Sequence, residues 1–258
     1  MDTIYQHFRP DEKEFIDQVL SWKQFVEDTY APKLTDFLDP RMQQIVETII
    51  GTNSDIRLAS FGGYLDAERK RMLLYPDYFQ PNDDDFHLTL FEIQYPSKFV
   101  TIAHNHVLGS LMSLGVKREK YGDILIHDER IQFFITNEMS EYVKLEFKQI
   151  GKTTIQLIEK DMNDVISTRE EWKEAITTVS SLRLDAILSA IYSISRQKTQ
   201  MLINRGYVKV NWKVIEDPSF QCQEGDYFSV RGYGRSKLMS LEGKTKKEKW
   251  RITTGILK

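Results

Sequence analysis

The sequence predicts an α+β protein with an N-terminal α/β region, a ferredoxin-like (βαββαβ) middle domain and a basic C-terminal module of two helices and a hairpin. Three observations support this class. Apolar residues recur at helical spacing in some segments and alternate in others, Gly and Pro stand at segment ends, and charge is separated along the chain. We expect domains at residues 1–80, 81–160 and 183–258, the last with a basic tail, and a polar linker at 161–182 with one short strand-like run near 175–179.

The N-terminal region begins with two helices. The first is predicted to start near Asp11, because apolar residues recur after it at helical spacing. The second follows Asp39, a good N-cap, places Pro40 in the first turn and ends at Gly51. A short strand is expected near residues 56–60.

In the middle domain the spacing of apolar residues changes in an ordered way between the period of about 2 of a strand and that of about 3.6 of a helix. Alternation at Phe86, Leu88 and Leu90 indicates its first strand. The strand at 130–136 lacks the glycine and aromatic spacing of an RNP motif, so base stacking of that type is not expected. The remaining elements are a helix ending at Gly115, strands at 124–126 and 131–135, a helix ending at Gly151 and a strand at 153–158.

Two basic runs precede the C-terminal module. The run Arg69-Lys70-Arg71 favours a solvated helix face over phosphate contact. Lys117, Arg118 and Lys120 form a basic loop, for which phosphate contact and simple solvation both stay open.

Formal charge is divided unevenly along the chain. Residues 183–258 contain 15 Lys and Arg against 7 Asp and Glu, a net charge of +8. Residues 1–182 contain 20 basic and 31 acidic side chains, a net charge of −11. A basic end on an acidic body is typical of a module that binds a polyanion, although a solvated basic tail has the same composition.

The basic module begins with two short helices. Apolar residues follow Arg183 at helical spacing, and Ser195 is placed to cap a second helix that runs to Asn204. Arg196 and Lys198 crowd the start of that second helix, where the helix dipole is already positive. These cations become favourable there when an anion such as phosphate binds, which indicates a binding surface. The simpler interpretation is that both are exposed cations that only aid solubility.

The segment RLDAILSAIYSISRQKTQMLINRGYVKVNW resembles the S-four RNA-binding domain, named after a small-subunit ribosomal protein, over about sixty residues. In the general pattern a glycine follows the asparagine; here Trp212 follows Asn211, which puts the tight hairpin in doubt. The residues that match the most characteristic positions are Arg183, Ser195, Arg196, Gly206, Val208, Val210 and Asn211.

The resemblance extends further, because SVRGYGRSKL and AHNHVLGSLMSLGVKREKYGDI look like segments of the YlmH family. It implies an N-terminal α/β region, an RNA-binding middle domain and a C-terminal S-four domain. It also implies association with ribosomal RNA. Small proteins with similar S-four domains bind large ribosomal subunits blocked by peptidyl-tRNA, so ribosome rescue or translation quality control is the expected role, with tRNA as a further partner.

Carried onto this sequence, the resemblance makes Arg183 and Arg196 the expected phosphate clamps, because a guanidinium can bind two phosphate oxygens at once. Asp185 is expected to support the helix start or to orient Arg183. The other expected RNA-binding residues are Ser195, Lys198, Lys209, Asn211, Lys213, Arg231, Arg235 and Lys237, with Asn211 offering its amide to the RNA.

We predict no catalytic residue, metal, cofactor or small-molecule substrate. The motifs of dinucleotide-binding, P-loop and HEXXH enzymes are absent, and His104 and His106 lack a partner motif. The single Cys222 and the lack of a long apolar run predict a cytoplasmic protein with no membrane segment. Two alternatives stay open: an RNA-modifying enzyme of the pseudouridine synthase type, and a scaffold linked to cell division.

Overall fold

The computed structural model describes Tyr5, Phe8 and residues 12–51, 55–167 and 172–257. The chain forms two compact units, Met1–Thr168 and Arg169–Lys258. The predicted domains at 1–80 and 81–160 therefore belong to one unit. The α+β class is confirmed, since helices and strands are mixed in both units.

The N-terminal part of the first unit packs two helices on a three-stranded antiparallel sheet. The predicted start of the first helix at Asp11 lies outside the described residues, whereas the second helix is capped as predicted, since the Asp39 carboxylate accepts from the Met42 N–H at 2.9 Å. The elements are α1 Lys13–Thr29, β1 Lys33–Leu38, α2 Pro40–Ile50, β2 Ile56–Phe61 and β3 Lys70–Pro76, with sheet order β1-β3-β2.

The run Arg69-Lys70-Arg71 enters strand β3, so the predicted solvated helix face is wrong. The Arg69 guanidinium donates to the Phe37 carbonyl at 3.0 Å, and the buried Arg71 donates to the Thr35 carbonyl at 2.7 Å. Burial lowers the pKa of both guanidinium groups. These two arginines therefore form hydrogen bonds to main-chain carbonyls inside the unit.

The middle part has the predicted βαββαβ order. Its antiparallel sheet has the order β5-β6-β4-β9, so the first and third strands are central, as in the ferredoxin-like arrangement. Its elements are β4 Leu88–Gln94, α3 His104–Met112, β5 Tyr121–His127, β6 Arg130–Thr136, α4 Asn137–Glu146, a small hairpin of β7 Gln149–Ile150 and β8 Thr153–Thr154, and β9 Gln156–Lys160.

Helix α4 ends at Glu146, five residues before the predicted end at Gly151. The buried Phe147 leaves the helical conformation, and the chain turns into the β7–β8 hairpin. Gly151, with φ +58°, lies in the two-residue turn of that hairpin, which requires positive φ. The glycine therefore marks a hairpin turn and not a helix end.

Both faces of the middle sheet are covered. One face packs against α3 and α4 through residues such as Phe91 and Phe133, and the other packs Phe134 against Phe37 of β1. Gly63, with φ +98°, lies so close to Phe134 that a Cβ would stand 2.1 Å from the ring. The sheet therefore has no open aromatic surface of the RNP type among the described residues.

The second unit is a six-stranded antiparallel sheet with two helices on one face. Its order is β10-β15-β14-β13-β11-β12. Helix residues such as Leu188 and Ile203 share a core with Val208, Phe228 and Leu238 of the strands. The elements are β10 Trp172–Val179, α5 Leu184–Tyr192, α6 Arg196–Asn204, β11 Val208–Val210, β12 Lys213–Val214, β13 Tyr227–Val230, β14 Gly234–Lys244 and β15 Trp250–Leu257.

The structure differs from the predicted linker at 161–182 and from the predicted basic tail. Residues Trp172–Val179 form an edge strand that pairs with β15 along its whole length. Strands β14 and β15 form a long hairpin in place of a tail. The sequence of β10 shows no regular alternation of apolar and polar residues, because this edge strand exposes Lys, Glu and Thr side chains on both faces.

Candidate RNA-binding surface

The carboxylate of Asp185 organises the junction between α5 and α6. It is fully buried, and both of its oxygens accept from Arg196 Nη2 at 2.8 Å. Gln200 Nε2 donates at 2.7 Å, and Arg183 Nε donates at 3.2 Å. Burial by itself raises the pKa of Asp185, but the hydrogen bonds from Gln200, Arg183 and Arg196 outweigh it and hold that pKa below its ordinary value.

The two arginines are therefore fixed with part of each guanidinium facing outward. Their side chains are 38% and 49% exposed, for Arg183 and Arg196 respectively, whereas the carboxylate between them is inaccessible. A guanidinium has five N–H groups, and Asp185 occupies only some of them. The remaining donors, with Lys198 nearby on α6, can meet an anion; we call Arg183, Arg196, Lys198 and Gln200 around Asp185 the helix-side site.

Ser195 acts as the predicted N-cap of α6, since its hydroxyl accepts from the Lys198 N–H at 3.2 Å. The Lys198 ammonium lies 5.5 Å from the ring centre of Tyr233, which also contacts Tyr192. Gln200 was not predicted, although its position four residues after Arg196 puts it on the same helix face.

Asn211 closes the hairpin in place of presenting its amide to solvent. Its Nδ2 donates to Asp226 at 2.8 Å, and its Oδ1 accepts from the Tyr227 N–H at 2.9 Å. Asn211 and Trp212 have φ of +47° and +64°, and Val210 pairs with Lys213. The tight two-residue turn is thus kept despite Trp212, and the expected amide contact to RNA is replaced by a structural role.

The predicted basic residues do not share one surface. Lys209, Ser229 and Arg235 are direct partners across β11, β13 and β14, and their neighbours Val210 and Phe228 point into the helix-covered core. Because successive side chains of a strand point to opposite faces of the sheet, those of Lys209, Ser229 and Arg235 point away from the helices. We call this surface the outer sheet face, defined by Trp172, Lys209, Trp212, Tyr227, Arg235 and Lys237.

The other two predicted residues lie at margins of the sheet. Arg231 lies over the ring of Tyr207, with 4.9 Å from its guanidinium carbon to the ring centre. Lys213 of β12 pairs with the buried Val210 of β11. Its side chain therefore points to the helix-covered side, at the edge of the sheet. Nine of the ten predicted residues thus divide between two opposite surfaces and two margins, and the tenth, Asn211, closes the hairpin turn.

The basic loop of the middle domain is largely neutralised. Arg118 donates to the Tyr121 carbonyl at 2.6 Å, and burial lowers its pKa to about 10. Lys120 pairs with Asp36 at 2.7 Å and also with Glu138. Lys120 is engaged by carboxylates and Arg118 by main-chain carbonyls, and only Lys117 has no described side-chain hydrogen bond or ion pair, so this loop offers little charge for phosphate.

The candidate catalytic groups show no such organisation within the described residues. His106 Nδ1 accepts from the Ala103 N–H at 3.3 Å at the start of α3. Burial raises the pKa of the Cys222 thiol, which disfavours the thiolate. Across residues 12–51, 55–167 and 172–257, no group of three His, Cys, Asp or Glu side chains could hold a metal ion, and no helix is long and apolar enough to cross a membrane.

Three protein families match successive parts of the chain. Residues 11–79 match the family described as "YlmH, N-terminal", and residues 81–164 match "Putative RNA-binding domain in YlmH". Residues 182–226 match "S4 domain". The helix-side site lies within the last match, whereas Arg235, Lys237 and Trp172 of the outer sheet face lie outside it.

Individual relatives agree with these matches. The chain is 47% identical over 253 residues to "Ribosome-associated protein quality control protein P2" of Bacillus subtilis, covering 98% of both chains. It is 31% identical over 104 residues to "Small ribosomal subunit protein uS4c" of Guillardia theta, covering 38% of this chain and 52% of the relative. The solved structure "Cell division protein ylmH from Streptococcus pneumoniae" is 36% identical with a TM-score of 0.55, covering 63% of this chain and 99% of that one. With near-complete coverage by one relative and family matches in all three parts, this chain belongs to the YlmH family and carries a C-terminal S-four domain.

Proposed function

We propose that this protein is a non-enzymatic, cytoplasmic RNA-binding protein that binds structured ribosomal RNA on the large ribosomal subunit. In this proposal it contacts peptidyl-tRNA as a further partner and acts in ribosome rescue and translation quality control. The observation that carries the proposal is the pair of half-exposed arginines held by the buried Asp185. The printed name of the Bacillus subtilis relative supports the ribosomal context.

The chemistry of the helix-side site suits phosphates better than bases. Two fixed guanidinium groups can each bind phosphate oxygens at two points, and the start of α6 adds free N–H groups and a positive dipole. Helical RNA hides its base edges in a deep, narrow major groove, so it is recognised mainly by shape and backbone. We therefore expect affinity for folded RNA with weak dependence on its sequence.

Co-sedimentation of the full chain with ribosomal subunits tests the proposal. We expect Arg196→Glu and Arg183→Glu to be lost from the large-subunit fraction. Lys173→Glu is the matched control, because Lys173 is an exposed cation on β10 with an equal change of charge. Unchanged co-migration of both arginine variants, with an intact fold, would overturn the proposed surface.

A scaffold linked to cell division is the second candidate, because the pneumococcal relative is named as a cell division protein. The two roles predict different behaviour in a pull-down treated with nuclease. Partners that are released by RNA digestion favour ribosome binding, and partners that remain bound favour the scaffold.

A further inference from the structure

The outer sheet face carries a row of aromatic rings. Trp212 stacks on Tyr227 with ring centres 5.5 Å apart and an angle of 27°, and Tyr227 meets Trp172 edge-on at 5.6 Å. Trp172 and Met239 both lie over Gly255 of β15, where a Cβ would stand 2.5 Å from the Met239 methyl carbon and 3.1 Å from a carbon of the indole ring. The absence of a side chain at Gly255 leaves room for the Met239 side chain and the indole to lie against the sheet.

Cations surround this row. The Lys237 ammonium lies 4.7 Å from the ring centre of Tyr227, and Lys209 and Arg235 flank Ser229 on the neighbouring strands. On the described strands, register places two carboxylates on the same face: Glu174, which pairs with Gly255 of β15, and Glu242, which forms an ion pair with Arg251 at 2.8 Å. The surface is therefore basic as well as aromatic.

We propose that the outer sheet face binds an unpaired segment of RNA, as a second site separate from the helix-side site. Aromatic rings interleaved with cations are the combination that holds single strands, because bases stack on the rings and phosphates meet the charges. Bases within a duplex are already stacked on each other and offer no free face. Lys209 and Lys237 give this face cations that are complementary to a nucleic acid backbone.

The two sites point to opposite sides of the sheet in the second unit. The helices that carry Arg183 and Arg196 cover the face of Val210 and Phe228, whereas Lys209 and Arg235 lie on the reverse. One RNA helix cannot reach both surfaces without wrapping around the sheet. The outer sheet face therefore suits a different strand or a single-stranded extension of the same RNA.

Fluorescence anisotropy of the full chain with labelled oligouridine of about 12 nucleotides, a length within the range of known single-strand sites, tests this proposal. We expect Trp212→Gly to weaken oligouridine binding about fivefold or more, since one stacking partner is lost. The turn should survive, because glycine tolerates the positive φ of Trp212 better than tryptophan. Lys237→Glu should weaken binding similarly, whereas Glu174→Lys should strengthen it.

Lys173→Glu is the control for charge, because Lys173 is exposed on the same strand as Trp172 but points to the opposite side. We expect it to change oligouridine binding by less than about twofold, the effect of a weak surface charge. Wild-type protein that shows no salt-sensitive binding to oligouridine overturns the proposal. Equal losses in Lys173→Glu and Lys237→Glu also overturn it. Wild-type protein that binds oligouridine but does not bind folded ribosomal RNA would refute the proposed function and leave this site standing.

Discussion

Arg196 donates from Nη2 to both carboxylate oxygens of Asp185, each at 2.8 Å, and so joins the start of α6 to the start of α5. The same carboxylate holds Arg183 and Gln200. A buried anion with several donors fixes the direction of each donor, because turning one donor away would remove one of the hydrogen bonds that compensate its burial. The position of two candidate phosphate-binding groups thus depends on one buried side chain.

The first prediction concerns stability. Asp185→Asn keeps the shape of the side chain but removes the charge that three donors share, and we expect it to lower the free energy of unfolding by about 1–3 kcal/mol. Urea unfolding of the full chain would measure the change. Glu248→Gln is the control, because the Lys244–Glu248 pair is exposed and should contribute less than about 1 kcal/mol. Equal effects of the two substitutions would contradict the role given to Asp185.

The second prediction concerns pH. The pKa of Asp185 in the folded protein lies below its ordinary value of 3.8, so its ionised form is stabilised by folding. This contribution is fully present above about pH 4 and is lost as pH falls through the folded pKa. We expect the difference in unfolding free energy between wild type and Asp185→Asn to be constant from pH 7 to about 5 and to shrink below about pH 4. A difference that grows on acidification would refute the pairing.

The third prediction concerns the junction inside the first unit. Gly63→Ala should destabilise the protein by more than about 3 kcal/mol, because its Cβ would overlap the Phe134 ring at a positive φ. Gly109→Ala is the matched control in helix α3, where a Cβ has open space and alanine should stabilise by about 0.5–1 kcal/mol. Thermal unfolding of both variants would measure the contrast. A mild effect at Gly63 would mean that β6 and the 62–67 loop are less closely packed than described.

Local signals in the sequence were enough to predict most of the elements. Asp39 and Pro40 begin α2 as expected, and Ser195 caps α6 as expected, because a capping side chain acts on the backbone beside it. The βαββαβ order followed from periodicity, since a buried face repeats at the spacing of its element.

What the sequence could not predict depends on tertiary contacts. Only a short strand-like run near 175–179 was visible in the polar segment that forms β10, because the full strand depends on pairing with β15, far away in the chain. Lys120 looks free in the sequence but is neutralised by Asp36, which is 84 residues away. The division of the basic residues between two surfaces depends on strand register, which assigns Lys209 and Arg235 to the same face.

Salt titration of binding to a folded fragment of large-subunit ribosomal RNA tests the central claim most directly. If about six phosphates are contacted, wild-type affinity should fall roughly a thousandfold between about 50 and 200 mM salt. We predict that Arg196→Glu binds more weakly at low salt and that its log–log salt slope is smaller by about one, since one phosphate contact is lost. An affinity and a slope equal to those of wild type would contradict the account.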